Sequence, residues 1–381
     1  MDTITHGIAG ALIGKGIFAE RWGTPALFAA TLGSVFPDCD VAGEIISRDP
    51  MSLLKYHRGI THSFVAMPVF AAGLGALTWW LARRRGIRTS PGMLMVAAGV
   101  GLASHILLDG LTSFGTRMWE PISYARVSWD WLFIIDPMLT ALVLVPQLGA
   151  WANRDRARAP WRALAMWALC TVLAVLTWGA EWAAGAGISF AMVPVAAIVF
   201  SGVFFLPLVA WEWFAWSRRD WCLAGLVLTV LYVGWCGVAH QRALGAVRQF
   251  ARNQPLPVED LAAVPLPPSP WAWSGLVRTP QGIYGAQFFL GEADAPDFHF
   301  LHNAPSNTYI EEAFRLRRVE TYLGFARFPL VRFHRLGDMN IVEFSDIRFV
   351  EYARRRNQHP FTFQVVFSAD GRVLREGWLM R

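Results

Sequence analysis

Charge is what this sequence has least of. Only 16% of its 381 residues are Asp, Glu, Lys or Arg, while 54% are hydrophobic, whereas a soluble globular chain carries roughly a quarter charged residues. The mean hydropathy is +0.35. This excludes an ordinary soluble protein and points to an integral membrane protein, with the lipid bilayer as its first partner. Cysteine is scarce too. Cys39, Cys170, Cys222 and Cys236 show no CxxC spacing, and three of them sit in apolar stretches, so neither a disulfide framework nor a cysteine zinc site is expected. A secretory signal is also missing: Asp2 and His6 interrupt the start, and neither a basic leader nor a cleavage site is evident. The net charge of +6 does not signal a nucleic-acid partner, because the arginines lie in short loops beside apolar segments, where such charges encode orientation.

What is present is a series of greasy segments and nineteen tryptophans, a residue that settles at membrane–water interfaces. Two short apolar stretches, Thr5 to Glu20 and Pro25 to Phe36, fall below the roughly 20 residues a perpendicular span needs. Six longer ones follow, at Ser63–Ala82, Gly92–Leu108, Trp131–Trp151, Ala163–Ala184, Ile188–Trp211 and Trp221–Ala239. If every segment crosses, Lys15, Arg21, Arg83 to Arg88, Arg154 to Arg162, Arg218 and Arg219 share one side, which the positive-inside rule makes cytoplasmic. After Ala239 the prolines of residues 255–270 mark an extended linker. Beyond it, residues 308–319 look helical. Phe361–Phe367 alternates, Asp370-Gly371 supplies a turn, and Val373–Trp378 returns. The expected fold is mainly α: a polytopic helical membrane bundle with a small C-terminal α+β soluble domain. Its expected parts are residues 1–150 bearing the motifs, 151–245 adding transmembrane helices, 246–270 as linker, and 271–381 as an extracytoplasmic domain.

Four polar islands interrupt the apolar chain: Thr5-His6, Phe36-Pro37-Asp38-Cys39-Asp40, His57 to Ser63, and His105 to Asp109. His105 and Asp109 are four residues apart and share one helix face, and ionisable groups at membrane depth are costly enough to mark a functional site by default. Gly59 breaks any helix through His57 and His62, which leaves His57 in a loop and His62 in a first turn after a Thr61 N-cap. Alone, that pair reads as a polar cap on a span rather than a metal site. Asp38 and Asp40, two apart in an extended turn, point the same way; alone, they are a solvated loop. Together the islands gather on one, extracytoplasmic side and match borderline metals such as zinc, manganese or iron. Arg58 and Arg117 are candidates to clamp an anionic group, with loop or headgroup contacts equally open. Asp130 and Asp136 are either supports for the site or helix starts.

These same motifs, together with His105 to Thr116, resemble those of the YdjM-like family of inner-membrane proteins predicted to be metal-dependent hydrolases. The resemblance covers roughly residues 1–150. It implies that His6, Asp38, Asp40, His57, His62, His105 and Asp109 form the polar core and hold a divalent metal. The chemistry expected is hydrolysis of a phosphoester or other ester of a lipid, envelope component or small molecule by water that the ion activates. Asp38, Asp40 or Asp109 would be general base, and Arg58 a further catalytic group. The rival is a transporter or scaffold with a structural or regulatory metal. Transport sites usually lie near the bilayer midplane, whereas these ligands cluster at helix ends.

Overall fold

A computed structural model describes all residues except 48, 184–191, 211–215, 268, 293, 350–360 and 380–381. The start of the segment expected at Ile188 and its end at Trp211 lie outside the described residues. The chain forms two units: Met1–Cys39 with Arg58–Cys236, and Asp40–His57 with Gly237–Arg381. The helices in chain order are α1 (Thr3–Ile13), α2 (Ala19–Val35), α3 (Val41–Ile46), α4 (Ser52–Tyr56), α5 (Met67–Arg84), α6 (Pro91–Gly110), α7 (Pro137–Ala152), α8 (Ala159–Ala183), α9 (Met192–Val209) and α10 (Arg218–Asn253). The strands and last two helices are β1 (Asp260–Leu266), β2 (Ala272–Thr279), β3 (Gly282–Phe289), β4 (His299–His302), α11 (Thr308–Phe314), α12 (Arg317–Phe325), β5 (Pro329–Leu336), β6 (Met339–Asp346), β7 (Thr362–Phe367) and β8 (Val373–Trp378).

Among the described residues α6, α8, α9 and α10 are long and apolar enough to cross a membrane, and α5 joins them only when counted with the segment before it. Among the described residues, four helices, or five with that bent pair, thus stand against the six expected long segments. The main loss is at Trp131–Trp151: Asp136 caps α7 by accepting from Met138 N and Leu139 N, and Pro137 fits the first helical position, so this helix begins late and has only 16 residues. The α1 segment runs into a π-helical turn, Gly14–Phe18, and a break at Gly23 (φ 73°) interrupts α2 just before Pro25.

Alanine and glycine set the spacing of the inner helices. The core between α1, α2, α5 and α6 is built on Ala26, Ala29, Ala30, Ala97 and Ala98 with Leu74, Leu94 and Leu102. A Cβ placed on Gly33 would lie 2.2 Å from Ala98 O, and one on Gly101 would lie 2.1 Å from Ala30 O. Both glycines let backbone meet backbone, the usual device of helix pairs in lipid. Gly101→Val therefore forces α2 and α6 apart, and a destabilisation of about 3 kcal/mol is expected from overpacking that rigid backbone cannot relieve. Thermal unfolding in detergent checks this.

The second unit contains two antiparallel four-stranded sheets, ordered β1-β2-β3-β4 and β5-β6-β7-β8. The expected final hairpin is present: β7 pairs with β8, and Gly371 at φ 85° makes the turn. Residues 308–319 form not one helix but two, α11 and α12, separated at Arg315-Leu316. The supposed linker is also different. Residues 246–253 finish α10, and Pro265 stands inside β1 opposite Trp273. Strand β1 is at the sheet edge, the place where a missing N–H costs no ladder bond.

Candidate metal centre

His105 and Asp109 do share the inner face of α6, and both are fully buried. The α2–α6 contact that Gly33 and Gly101 permit also brings the carbonyl of Ser34 to 2.7 Å from His105 Nδ1. A carbonyl only accepts, so Nδ1 carries the proton and donates. In the neutral ring Nε2 is then bare and faces inward, the orientation a metal-ligating imidazole requires.

Three further donor atoms meet it. His62 Nε2 lies 3.0 Å from His105 Nε2, 3.2 Å from Asp109 Oδ2 and 3.6 Å from Asp38 Oδ1. His105 Nε2 lies 3.4 Å from Asp38 Oδ1 and 3.6 Å from Asp109 Oδ2. Four ligands at zinc–nitrogen and zinc–oxygen distances around a tetrahedral ion stand about 3.3 Å apart. The five separations above are of that size, and all four donor atoms lie within 4.8 Å of one another. Asp109 Oδ2 is, moreover, a buried oxygen with no hydrogen-bond partner among the described residues, a costly state that a cation would relieve. The donor set of Asp38, His62, His105 and Asp109 thus fits a divalent metal, with two imidazoles and two carboxylates suited to zinc, manganese or iron.

The other oxygens of the carboxylates are held from behind. Asp109 Oδ1 faces Arg58 Nη2 at 2.9 Å and His6 Nε2 at 3.2 Å, and the Met1 amino group touches it as well. Asp38 Oδ2 accepts from the Thr3 hydroxyl at 2.6 Å. Asp38 differs in access: its side chain is 8% exposed, and those of His62, His105 and Asp109 are 0% exposed. Of the four donors, Asp38 is thus the one nearest to the surface.

The remaining candidates are distributed differently from the sequence expectation. His6 stacks on the His105 ring, with centroids 3.7 Å apart, and supports Asp109 rather than joining the four donors. Asp38 and Asp40 lie in a 3₁₀ turn, Phe36–Asp40, not an extended one. At three residues per turn, positions two apart face about 120° away from each other, and Asp40 pairs instead with His57 Nδ1 at 2.8 Å within the second unit. Thr61 is no N-cap: its hydroxyl lies 3.0 Å from His62 Nδ1, and α5 starts only at Met67.

Arg58, at φ 58°, turns its guanidinium inward, 1% exposed. Nη1 donates to Thr112 Oγ1 at 2.8 Å, and the group lies over the Phe114 ring. Arg117 is partly exposed and faces Glu120 at 3.7 Å. Asp130 accepts from Ser128, and Asp136 is the helix start, also receiving the Tyr232 hydroxyl at 2.8 Å. Sequence reasoning passed over Thr3, Ser34 and Thr112. A hydroxyl or a main-chain carbonyl gives no signal of its own there, because tertiary packing alone brings it to the site.

The model of the YdjM inner membrane protein family matches residues 1–186, a stretch that contains all four donors. No curated protein and no solved structure matches the chain.

Proposed function

Since the model of the YdjM inner membrane protein family matches residues 1–186, we propose that this chain is a membrane-embedded metal-dependent hydrolase acting on a phosphoester, or another ester, of a lipid or envelope component. The observation that carries this is the cluster of four donor atoms, three on fully buried side chains and the fourth on Asp38, which is 8% exposed. A divalent ion held there supplies a charge that polarises an ester oxygen and lowers the pKa of water.

The chain's own groups have distinct parts. His62, His105 and Asp109 hold the ion and exclude water from its inner side. Asp38 holds it at the accessible side, and its carboxylate is the base nearest an incoming water. Arg58 positions Asp109 instead of touching substrate. Arg117, in the loop after α6 and partly exposed, is the guanidinium we assign to meet an anion. We read the Arg83 to Arg88 loop, at the ends of α5 and α6 opposite this centre, as cytoplasmic, which supports an extracytoplasmic centre.

The test is turnover of bis(p-nitrophenyl) phosphate and short-chain p-nitrophenyl esters by purified protein stripped of metal and reloaded with zinc, manganese or iron. Metal-dependent hydrolysis that falls at least about 100-fold in Asp38→Asn, the range for loss of a positioned base, is the expected result. Full metal occupancy with no turnover on any ester would favour a structural ion, which the burial of three ligands makes the second reading.

A further inference from the structure

Helix α1 has two apolar faces. One, with Ala9, Gly10, Leu12 and Ile13, is buried. The other, Ile4, Ile8 and Ala11, lines a groove of about 700 Å³ together with Leu144 and Leu148 of α7 and Leu169 of α8. Thr3 lines one end and the Lys15–Gln147 pair the other, with Lys15 Nζ donating to Gln147 Oε1 at 2.7 Å. Between these ends the wall is hydrocarbon.

The Thr3 end is the informative one. Its hydroxyl donates to Asp38, the one ligand of the centre with any exposure, so the groove begins where the centre is approached. Twelve residues separate Thr3 from Lys15, about 18 Å of helix, close to the roughly 15 Å depth of one hydrocarbon leaflet. The loop that follows α6 at the same end exposes Trp119 and Tyr124, residue types that settle at the headgroup level.

We propose that this groove holds one acyl chain of a bilayer phospholipid, with its ester end at Thr3 and Asp38 and its methyl end at Lys15 and Gln147. This rests on the hydrolase reading for its purpose and names the substrate class as a diacyl phospholipid. Asp38 and Thr3 then meet the polar end, while Ile8, Ala11, Leu144 and Leu148 bind and straighten the chain. The paired polar ends of Lys15 and Gln147 close the groove and limit the length it accepts.

The full chain is reconstituted in vesicles of phosphatidylethanolamine and phosphatidylglycerol. A trace of phosphatidylglycerol carries a diazirine on one acyl chain, near the ester in one preparation and near the methyl end in another. After irradiation the adducts are mapped by peptide mass spectrometry. Labelling of groove residues several-fold above outward-facing Ile198 and Val230, which are 71% and 70% exposed, is the expected result. The ester-proximal probe should mark Thr3 and Ile4, the distal probe Ala11 to Lys15, and Ala11→Trp should remove the distal adducts.

Even labelling of all outward faces, reversed polarity, or crosslinks to a second copy would overturn the proposal. The wild-type polarity decides it even where Ala11→Trp fails to fold. Repeating the labelling on Asp109→Asn separates the two readings. Adducts that persist without metal or turnover support the groove alone, and turnover of soluble esters without groove labelling supports the centre alone.

Discussion

His105→Ala, purified in detergent and dialysed against zinc, should lose tight metal binding. Structural zinc sites bind with about 10–16 kcal/mol, so one of four ligands carries about 3 kcal/mol, or roughly a hundredfold in affinity. Removing the ring also unpins Ser34 and opens the stack on His6, which adds to the loss. Asp109→Asn should behave alike, since an amide oxygen is a poor ligand and its NH₂ clashes electrostatically with Arg58 Nη2, 2.9 Å from Oδ1 in the wild type. His6→Gln should weaken binding by about 10–100-fold, the usual effect of losing a group that orients a ligand. His57→Ala should leave metal content unchanged, because His57 faces Asp40 and supplies none of the four donors. Elemental analysis beside a competition titration reads all four variants. Equal loss in His57→Ala would return to the seven-residue set implied by the family motifs and overturn the four-residue one.

The contrast between seven and four shows what a sequence carries and what it does not. The pairing of His105 with Asp109 was legible because helical period fixes which residues share a face, and an apolar span makes a charged pair conspicuous. The final hairpin was legible for a similar reason: alternation and Asp370-Gly371 are local. Asp40 was misplaced because extended and 3₁₀ turns rotate the same two positions differently, and Pro37 permits either. Pro265 suggested a linker, yet proline is compatible with an edge strand, and strand order is not a local property. The helix expected from Trp131 starts instead at Pro137, where Asp136 offers its carboxylate to two main-chain N–H groups. Arg58 was the least legible. Nothing in His57-Arg58-Gly59 tells that the arginine takes φ 58° and folds beneath Asp109, because the partner lies 51 residues away.

That buried arginine carries the largest expected effect on stability. In Arg58→Met the side chain keeps its volume and the backbone keeps its left-handed turn, so the change reads the guanidinium alone. Asp109 Oδ1 loses its principal counter-charge in a site with 0% exposure, and Thr112 loses its donor. Breaking a buried ion pair by removing one partner costs about 3–5 kcal/mol, a large share of the 5–15 kcal/mol that typically holds a domain folded. A bound cation supplies positive charge to the same carboxylate, so zinc should recover much of the loss. The expected outcome is a steep fall in thermal stability of the metal-free variant and a wider gap between metal-free and zinc-loaded protein than in the wild type. If Arg58 instead served to clamp a substrate anion, Arg58→Met would leave both unfolding curves in place and raise KM alone. Unfolding in detergent with and without zinc therefore tells a positioning arginine from a substrate-binding one, and it needs no knowledge of the substrate.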